Sequence, residues 1–412
     1  MAVIGGGAAG LAGAAAATRL GLSVVVLEKT GRCGAKLAIT GGRKGNFTHA
    51  DPPRKMADRF DCAPGLILPL LRRFPHQRIT AFFRGLGIES RTDSEGCIWP
   101  ARADAAGLRD ALLDAIRKGG GEIRPGAAVR YLKPGWSIGL EGGAVVKAKN
   151  VLLATGGASY PRTGSTGDGI RLAAGLGLAT TPWFVALASL RTRVDFSDLA
   201  GISQPRVGMA LLAGPSLDRL ELTRAAEGHF IFAHEHVSGS SVLKLCGFAA
   251  RALATGGKAV LRVDWAPDET AHKLTAAIAE ARVKQNRAKV TTVMAAWVSR
   301  RLAVRLCQIA GVPSDRYMAG LTRPEAEAVV KVLKATDLEI TGTEPIERAT
   351  VVGGGVKLDE IDLKTMESKR FPGLYFAGEV IDLWAETGGY NLHFAWASAI
   401  AAAEAIAGRD LN

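Results

Sequence analysis

The 412-residue chain is too long for one small hydrophobic core, and its length suggests two or three domains. Its 52 Lys and Arg residues exceed its 39 Asp and Glu residues, which gives a net charge of +13 and a pI near 9.7. This balance is unusual for an enzyme of small neutral metabolites and indicates a polyanionic partner, unless the composition is simply Arg-rich throughout. Five widely spaced cysteines without a Cys-x-x-Cys pair exclude a disulfide framework and a zinc site, and they favour a cytoplasmic location.

The N-terminus has the pattern of a strand, a tight glycine turn, a helix and a second strand. Gly5 permits the turn, Gly7 lets the backbone approach a pyrophosphate, and Gly10 lets the helix pack on the strand. The free amides of the helix start, at Ala8 and Ala9, are placed to face the phosphates. Because the apolar part of this segment is too short to span a bilayer, we expect neither a signal peptide nor a membrane helix.

Two features after the second strand extend this nucleotide site. Glu28 ends the strand where a carboxylate holds a ribose diol, and an acid here indicates an unphosphorylated ribose, as in FAD or NAD. The basic, glycine-rich segment 29–48 is expected to lie along the cofactor, with Leu37 and Ile39 alternating like a short buried strand. Within it, Lys36, Arg43 or Lys44 would supply positive charge to the cofactor.

The first nucleotide-binding part is predicted to span residues 1–187. Its apolar strand at 151–157 ends in small residues that close over a nucleotide, and Asp168 is expected to cap a following helix. The pattern then predicts an inserted β-rich domain at 188–267 and a helical insert at 268–335. A return strand of the β-rich domain is placed at 336–348, and the second part of the nucleotide-binding domain at 349–412. His229, His234 and His236 lie close together in the insert but have no recognised metal-ligand spacing, so no metal is expected.

Residues 281–305 contain seven cations and no acidic residue. They are Arg282, Lys284, Arg287, Lys289, Arg300, Arg301 and Arg305. This pattern is typical of a positively charged surface and not of an alternating salt-bridged face. It favours an RNA-binding footprint over an ordinary solvated face.

The C-terminal part contains a buried strand at 373–379 that ends in an acid, and then a second glycine turn at Thr387-Gly388-Gly389 that opens an alanine-rich helix. Such a helix start is suited to stabilise negative charge on a reduced isoalloxazine. The pair Gly354-Gly355 opens no helix and is predicted to be a turn or bulge. We therefore expect a single dinucleotide site.

Together these motifs resemble the BaiN/RdsA family of NAD(P)- and FAD-dependent oxidoreductases, which includes YhiN-like flavoproteins. The resemblance runs over nearly the whole chain and implies an α/β fold, in which a Rossmann-type FAD-binding domain is interrupted by an inserted β-barrel-like domain and a small helical domain. The motifs that carry it are Gly5-x-Gly7-x-x-Gly10 and the segments 36–48, 154–157, 164–169, 354–356, 365–369, 373–379 and 387–392.

The resemblance implies non-covalent FAD, with NAD(P)H as a transient electron donor. It places Val129 and Thr155 by the ADP moiety, Glu379 at the ribitol, and Gly389 near the flavin ring. The full set of expected cofactor contacts is Gly5, Gly7, Ala8, Ala9, Gly10, Glu28, Lys29, Lys36, Gly42, Asn46, Val129, Thr155, Gly156, Gly378, Glu379, Gly389, Asn391 and Leu392.

The resemblance also implies reduction of an activated carbon–carbon double bond, either in uridine of ribosomal RNA, giving dihydrouridine, or in a small unsaturated compound such as a steroid. Where relatives commonly have Gly-Arg-Cys-Asn, this chain has Arg43-Lys44-Gly45-Asn46, so any chemistry of that cysteine is absent here. The proton donor is not identified; the candidates are Cys97, Tyr390 and His393.

Three other functions compete with this reductase. A thiol–disulfide reductase would need the Cys-x-x-Cys pair that the chain lacks. A non-catalytic flavin-containing RNA-binding or redox-sensing protein would show no turnover. A flavin-using RNA methyltransferase would require a reduced folate.

Overall fold

The computed structural model describes residues 1–411 and divides them into two units. Unit 1 comprises Met1–Phe184 and residues 346–411, and unit 2 comprises Val185–Pro345. The helices are α1 (Ala8–Arg19), α2 (Pro53–Ala57), α3 (Pro64–Arg73), α4 (His76–Arg84), α5 (Ala105–Lys118), α6 (Asp168–Gly175), α7 (Ser240–Ala254), α8 (Ala271–Lys284), α9 (Val290–Met294), α10 (Arg300–Ala310), α11 (Arg323–Lys334) and α12 (Gly388–Ala407).

The strands, in chain order, are β1 (Ala2–Ile4), β2 (Val25–Leu27), β3 (Thr48–His49), β4 (Ser90–Thr92), β5 (Cys97–Pro100), β6 (Glu122–Arg124), β7 (Val129–Lys133), β8 (Ser137–Leu140), β9 (Val145–Lys147), β10 (Val151–Leu153), β11 (Thr180–Leu187), β12 (Leu190–Thr192), β13 (Ser203–Gly214), β14 (Glu221–Phe232), β15 (Val237–Ser238), β16 (Lys258–Asp264), β17 (Thr336–Thr343), β18 (Val351–Val356), β19 (Ile361–Asp362), β20 (Glu367–Ser368) and β21 (Leu374–Phe376).

Unit 1 is built on a seven-stranded sheet in the order β19-β20-β21-β10-β1-β2-β6. The five strands from β21 to β6 are parallel, and β19 and β20 add antiparallel pairs at one edge. β1 and β10 are entirely buried and apolar, as expected for central strands covered on both faces. The alanine-rich helices α1 and α12 pack against each other. The Rossmann-type prediction for this part of the chain is confirmed.

Unit 2 contains a closed six-stranded barrel in the order β12-β15-β14-β13-β16-β17. Its interior includes Phe230, Phe232 and Trp265, whose rings lie 4.9 to 5.8 Å apart between centroids. The Trp265 indole N–H donates to the Thr336 hydroxyl at 2.8 Å, so the buried polar group is satisfied. The predicted barrel is therefore present, although the segment expected to be β-rich also contains the 15-residue helix α7.

Two local predictions were wrong. Residues Leu37–Arg43 form a 3₁₀ segment and not a strand, because Gly41 and Gly42 adopt φ values of +56° and +63°; Leu37 is buried but Ile39 is 39% exposed. Asp168 is the first residue of α6 and not its cap, because Gly167 occupies the N-cap position and the Asp168 carboxylate pairs with Lys29.

Three further observations concern the pair Gly354-Gly355, membrane-spanning helices and metal-binding groups. Gly354 and Gly355 lie inside β18 with φ values of +95° and +122°, and the strand is followed by a short 3₁₀ turn at Leu358–Glu360 and not by an α-helix. Between residues 1 and 411, no helix is long and apolar enough to cross a membrane. Over the same residues, no group of three His, Cys, Asp or Glu side chains is arranged to hold a metal ion.

Candidate functional site

The glycine turn after β1 leaves the start of α1 open. A Cβ on Gly5, where φ is +99°, would lie 2.6 Å from the carbonyl oxygen of Ala154. A Cβ on Gly10 would lie 1.9 Å from the carbonyl oxygen of Gly5, so both positions require glycine. At Gly7, by contrast, a Cβ would meet no atom within 4 Å. The space beside Gly7 is therefore available to a ligand.

The start of α1 is an anion-binding helix terminus. Its N-cap, Gly7, has no side chain to cap the first amides, and no acidic residue lies in the first turn. The amides of Ala8 and Ala9 precede the first intrahelical bond, which the Leu11 N–H donates to the Gly7 carbonyl at 2.9 Å. Free amides and the positive end of the helix dipole together favour a phosphate at this position.

Glu28 is held rigidly after β2. Its Oε2 accepts a hydrogen bond from the Gly6 N–H at 2.8 Å, and its Oε1 accepts from the N–H and the hydroxyl of Thr30, both at 2.8 Å. Glu28 is only 8% exposed. A carboxylate offers about four acceptor positions, so it can still receive a ligand hydroxyl.

A cavity that is open to solvent joins these features. The predicted contacts that line it are Gly5, Gly7, Glu28, Lys29, Lys36, Val129 and Thr155. Lining residues outside the predicted contact set include Gly6, Arg32, Gly34, Ala35, Gly164 and Ser165. The family motif at 164–169 is the signal that points to Gly164 and Ser165, and the basic loop 29–48 is the signal that points to Arg32.

The remaining predicted contacts are not part of this lining. They are Ala8, Ala9, Gly10, Gly42, Asn46, Gly156, Gly378, Glu379, Gly389, Asn391 and Leu392. Arg43 and Lys44, which were expected to supply charge, do not line it either.

The lysines at the cavity are already paired. The Lys29 ammonium lies 2.6 Å from Asp168 Oδ2, and the Lys36 ammonium lies 2.9 Å from Glu379 Oε2. Arg32 lines the cavity, is exposed, and has no acidic partner among the residues that the structure describes. Arg32 is therefore the lining cation best placed to meet an anionic ligand.

Glu379 connects distant segments of unit 1. Besides the contact with Lys36, its carboxylate accepts hydrogen bonds from the Val352 N–H at 3.1 Å and the Gly157 N–H at 3.3 Å. The preceding Gly378 has a φ of +71°, and its N–H donates to the buried Ser398 hydroxyl at 3.0 Å. These contacts fix the loops at the carboxyl ends of β10 and β21.

The second glycine turn begins α12, with Thr387 at the N-cap and no acidic residue in the first turn. The Asn391 amide donates to the carbonyls of Ala385 and Thr387 at 2.9 and 2.7 Å, and its Oδ1 accepts from the Ala385 N–H at 3.0 Å. All three contacts are made to backbone, so this side chain shapes the turn. Leu392 follows it and is half-buried.

Asn46 places a buried acceptor beside this turn. Its Oδ1 has no hydrogen-bond partner among the residues described, and a Cβ on Gly389 would lie 3.0 Å from it. A buried polar atom without a partner costs about 1–3 kcal/mol. The orphaned oxygen therefore points to a ligand donor at the start of α12.

His393, one of the three candidate proton donors, lies in the core of unit 1. Its Nδ1 lies 2.7 Å from the Thr48 hydroxyl and its Nε2 lies 2.9 Å from the Phe74 carbonyl oxygen. Complete burial lowers the pKa of His393 to about 4. A neutral ring enclosed between two partners stabilises the core and has no proton to offer to a substrate.

Tyr390 and Cys97 keep their protons. Burial, and then the hydrogen bond to Asp51, raise the pKa of Tyr390. Its hydroxyl donates to Asp51 Oδ2 at 2.7 Å, and Asp51 Oδ1 lies 2.8 Å from the ammonium of Lys55, whose side chain is 58% exposed. Burial and the Asp93 carboxylate likewise raise the pKa of Cys97. Tyr390 alone of the two is connected through charged groups to solvent.

The basic segment 281–305 of unit 2 is only partly unpaired. Lys284 pairs with Glu280 at 2.6 Å, just outside the segment. The guanidinium groups of Arg301 and Arg305 donate to backbone carbonyls in the 195–198 loop. The four cations that are exposed, and that have no acidic partner in the described chain, are Arg282, Arg287, Lys289 and Arg300.

Residues 1–405 match the family described as HI0933-like protein Rossmann domain. The chain belongs to the HI0933-like family. It is 29% identical to the 3-dehydro-bile acid delta(4,6)-reductase of Clostridium scindens, over 99% of this chain and 98% of the relative. It is 27% identical to the ribosomal RNA dihydrouridine synthase of Escherichia coli, over 98% of this chain and 96% of the relative. The HI0933-like assignment confirms the resemblance to the BaiN/RdsA group.

Among solved structures, the 3-ketosteroid delta1-dehydrogenase of Sterolibacterium denitrificans, in complex with 1,4-androstadiene-3,17-dione, shares the fold. The TM-score is 0.52 with 15% identity, and the match covers 99% of each chain. This HI0933-like protein is an FAD-dependent oxidoreductase.

The residues present fit FAD. Glu28 offers an acceptor for a ribose hydroxyl, and the amides at the start of α1 suit the pyrophosphate beside the open position at Gly7. Asn46 Oδ1 and the first amides of α12 suit the polar edge of a flavin ring. Glu28 and Gly7 line the cavity, and Asn46 lies beside Gly389 at the start of α12.

Proposed function

We propose that this protein is a cytoplasmic reductase that uses NAD(P)H and bound FAD to saturate a carbon–carbon double bond conjugated to a carbonyl group. The observation that carries the proposal is the pair of full-length relatives. Their names describe different molecules, a 3-dehydro-bile acid and a ribosomal RNA uridine. In each of these two molecules, the double bond that is reduced is conjugated to a carbonyl group. The shared chemistry is therefore reduction of an enone-like group.

FAD, when bound and reduced by NAD(P)H, would supply hydride-transfer chemistry at one carbon of such a bond. The protein's own residues would have to stabilise the negative charge that develops on the conjugated carbonyl oxygen and protonate the neighbouring carbon. The start of α12, with no acidic residue in its first turn, provides a positive dipole end for the negative charge. We assign proton donation to Tyr390, because it lies in the first turn of α12 directly after Gly389 and its hydroxyl is hydrogen-bonded to Asp51. Asp51 and Lys55 would return a proton from solvent.

The substrate within this class is either a uridine in ribosomal RNA or a small unsaturated compound. The basic segment 281–305 favours RNA, since four of its cations are exposed and unpaired among the described residues. We therefore place ribosomal RNA first and a small enone second.

The proposal is tested in two steps. Anaerobic reduction of the purified flavoprotein with NADPH, followed by addition of a panel of enones, should give flavin reoxidation that depends on the enone. Nucleoside mass spectrometry of ribosomal RNA from a deletion strain should then show loss of one dihydrouridine. A protein whose flavin is reduced by NADPH but is reoxidised by oxygen alone, and by neither the enones nor ribosomal RNA, would refute reductase function. A strict requirement for reduced folate would indicate a methyltransferase.

The Tyr390 assignment has its own test. Tyr390→Phe should slow enone-dependent flavin reoxidation by roughly 100-fold, within the usual range for loss of an acid catalyst, while the rate of flavin reduction by NADPH stays unchanged. Cys97→Ser serves as the matched control and should leave both rates within about twofold. An equal loss in both variants would contradict the assignment.

A further inference from the structure

Two short segments of unit 2 lie side by side at the basic surface. Backbone hydrogen bonds of 2.8, 2.9 and 3.0 Å join residues 286–290 to residues 316–319. Lys289 and Tyr317 form an antiparallel bridge between them. Directly opposed residues of an antiparallel pair project to the same face, so an ammonium group and an aromatic ring emerge together.

Tyr317 is 55% exposed, which makes it more exposed than the other tyrosines of the chain. Within the described residues, neither its hydroxyl nor its ring has a hydrogen-bond or ring partner. The side chain therefore contributes little to the core of unit 2. The Tyr317 ring exposes a flat apolar face to water beside the Lys289 ammonium group.

The surrounding charge is concentrated. Unit 2 contains 21 basic and 16 acidic residues, yet segment 281–305 alone contains seven basic residues and none that is acidic. The rest of unit 2 therefore carries a net charge of −2. A polyanion approaching unit 2 is attracted to this segment and repelled weakly elsewhere.

We infer that Tyr317, Lys289, Arg287 and Arg282 form a platform that binds single-stranded RNA, with a base stacked on the tyrosine ring and phosphates on the three cations. Cations that track a backbone beside an exposed aromatic ring are the combination that single-stranded nucleic acids require. This Tyr317 platform rests on the RNA branch of the proposed function.

The exposed ring of Tyr317 favours single-stranded RNA over duplex RNA as the ligand. In an A-form duplex the bases are paired and stacked, and only phosphates and ribose hydroxyls are available to a surface such as this. Unpaired bases, in contrast, can leave their neighbours and stack on an exposed ring. An acidic peptide would satisfy the cations but would gain nothing from the ring face.

The test uses the FAD-loaded full-length protein and fluorescence anisotropy with a labelled 12-nucleotide oligouridine, free or annealed to oligoadenosine. Tyr317→Ala should weaken single-strand binding by roughly tenfold or more, and Tyr317→Phe should bind within about twofold of wild type, because stacking is retained. Tyr131→Ala is the matched control, since Tyr131 is also exposed, at 38%, and lies beside Lys133. It should bind like wild type.

Salt dependence separates the ring from the cations. Replacing Arg282, Arg287 and Lys289 together by Gln should reduce the slope of log affinity against log salt by roughly 2, since each single-strand phosphate contact contributes about 0.7. Tyr317→Ala should leave this slope unchanged. Equal binding by Tyr317→Ala and wild type would overturn the inference, as would tighter binding of the duplex or equal competition by polyglutamate.

Measuring substrate reduction together with RNA binding separates failure of this inference from failure of the proposed function. If wild type reduces a small enone but binds no single-stranded RNA above the level of the triple variant, the platform is wrong and the reductase stands. If the protein binds single-stranded RNA through Tyr317 but reduces neither a small enone nor uridine in ribosomal RNA, the platform stands and the reductase proposal fails.

Discussion

Replacing Glu28 by Gln tests the assignment of the cavity to the ADP part of FAD. The exchange keeps the shape of the side chain but removes the charge and turns one acceptor oxygen into a donor. In the folded protein both oxygens accept backbone N–H groups, from Gly6 and Thr30 at 2.8 Å. One of these donors would therefore face an NH₂ group, and an unsatisfied buried donor costs about 1–3 kcal/mol of folding stability.

The expected loss of cofactor affinity follows from the same geometry. A hydrogen bond from a ribose hydroxyl to a carboxylate contributes about 1.5–3 kcal/mol, which corresponds to a Kd increase of about ten- to 150-fold. Glu28→Arg should retain no FAD, because it also places a cation beside the positive start of α1.

The assay is fluorescence titration of the deflavinated protein with FAD, accompanied by a thermal melt without cofactor. Glu122→Gln is the matched control, because Glu122 lies on the neighbouring strand β6 with a side chain that is 55% exposed. It should bind FAD like wild type. A Glu28→Gln protein with wild-type affinity, or a yellow and fully loaded Glu28→Arg protein, would refute the assignment.

Three further results are expected. Gly7→Ala should melt like wild type without cofactor but lose FAD, since its Cβ meets no protein atom and enters the ligand space. Gly10→Ala should fail to fold, because its Cβ would lie 1.9 Å from a carbonyl oxygen. Equal melting temperatures of the two variants would contradict this reasoning. Burial lowers the pKa of His393 from 6.5 to about 4. As the pH falls, the unfolded state therefore binds a proton before the folded state does. The free energy of unfolding should decrease by roughly 3 kcal/mol between pH 6.5 and pH 4. Urea unfolding of His393→Gln should be less pH-dependent over this window, while the exposed-site control His272→Gln should follow wild type. A crystal soak with NAD(P)H should show no second Rossmann-fold dinucleotide site, and a nicotinamide dinucleotide in a separate such fold would contradict the single-site prediction.

The sequence predicts the start of the site well because the necessary signals are local. Gly5, Gly7 and Gly10 are close in the chain, and the strand-turn-helix geometry depends on their spacing. Glu28 follows from the same unit. Gly5, Gly7 and Glu28 line the cavity, whereas Gly10 packs against Gly5 behind it. Their contact with a cofactor stays a prediction.

The contacts that the sequence does not predict join residues far apart in the chain. Lys36 pairs with Glu379 and Tyr390 bonds to Asp51, across more than 300 positions in each case. No local pattern specifies such pairs. The surroundings of His393 could not be predicted for the same reason, because its partners Thr48 and Phe74 come from another part of unit 1.

The order of strands in the sheet has a consequence for synthesis of the chain. β10 lies between β1 and β21, and the residues of unit 2 separate β10 from β21 in the chain. At about 5–20 residues per second, a ribosome needs on the order of 10 to 40 s to proceed from the end of β10 to β21. During that interval one edge of an apolar strand, whose side chains are fully buried in the finished protein, has no neighbour. An unpaired edge of this kind is a site of aggregation, so we expect nascent chains that stall within unit 2 to depend on chaperones more than the completed protein does.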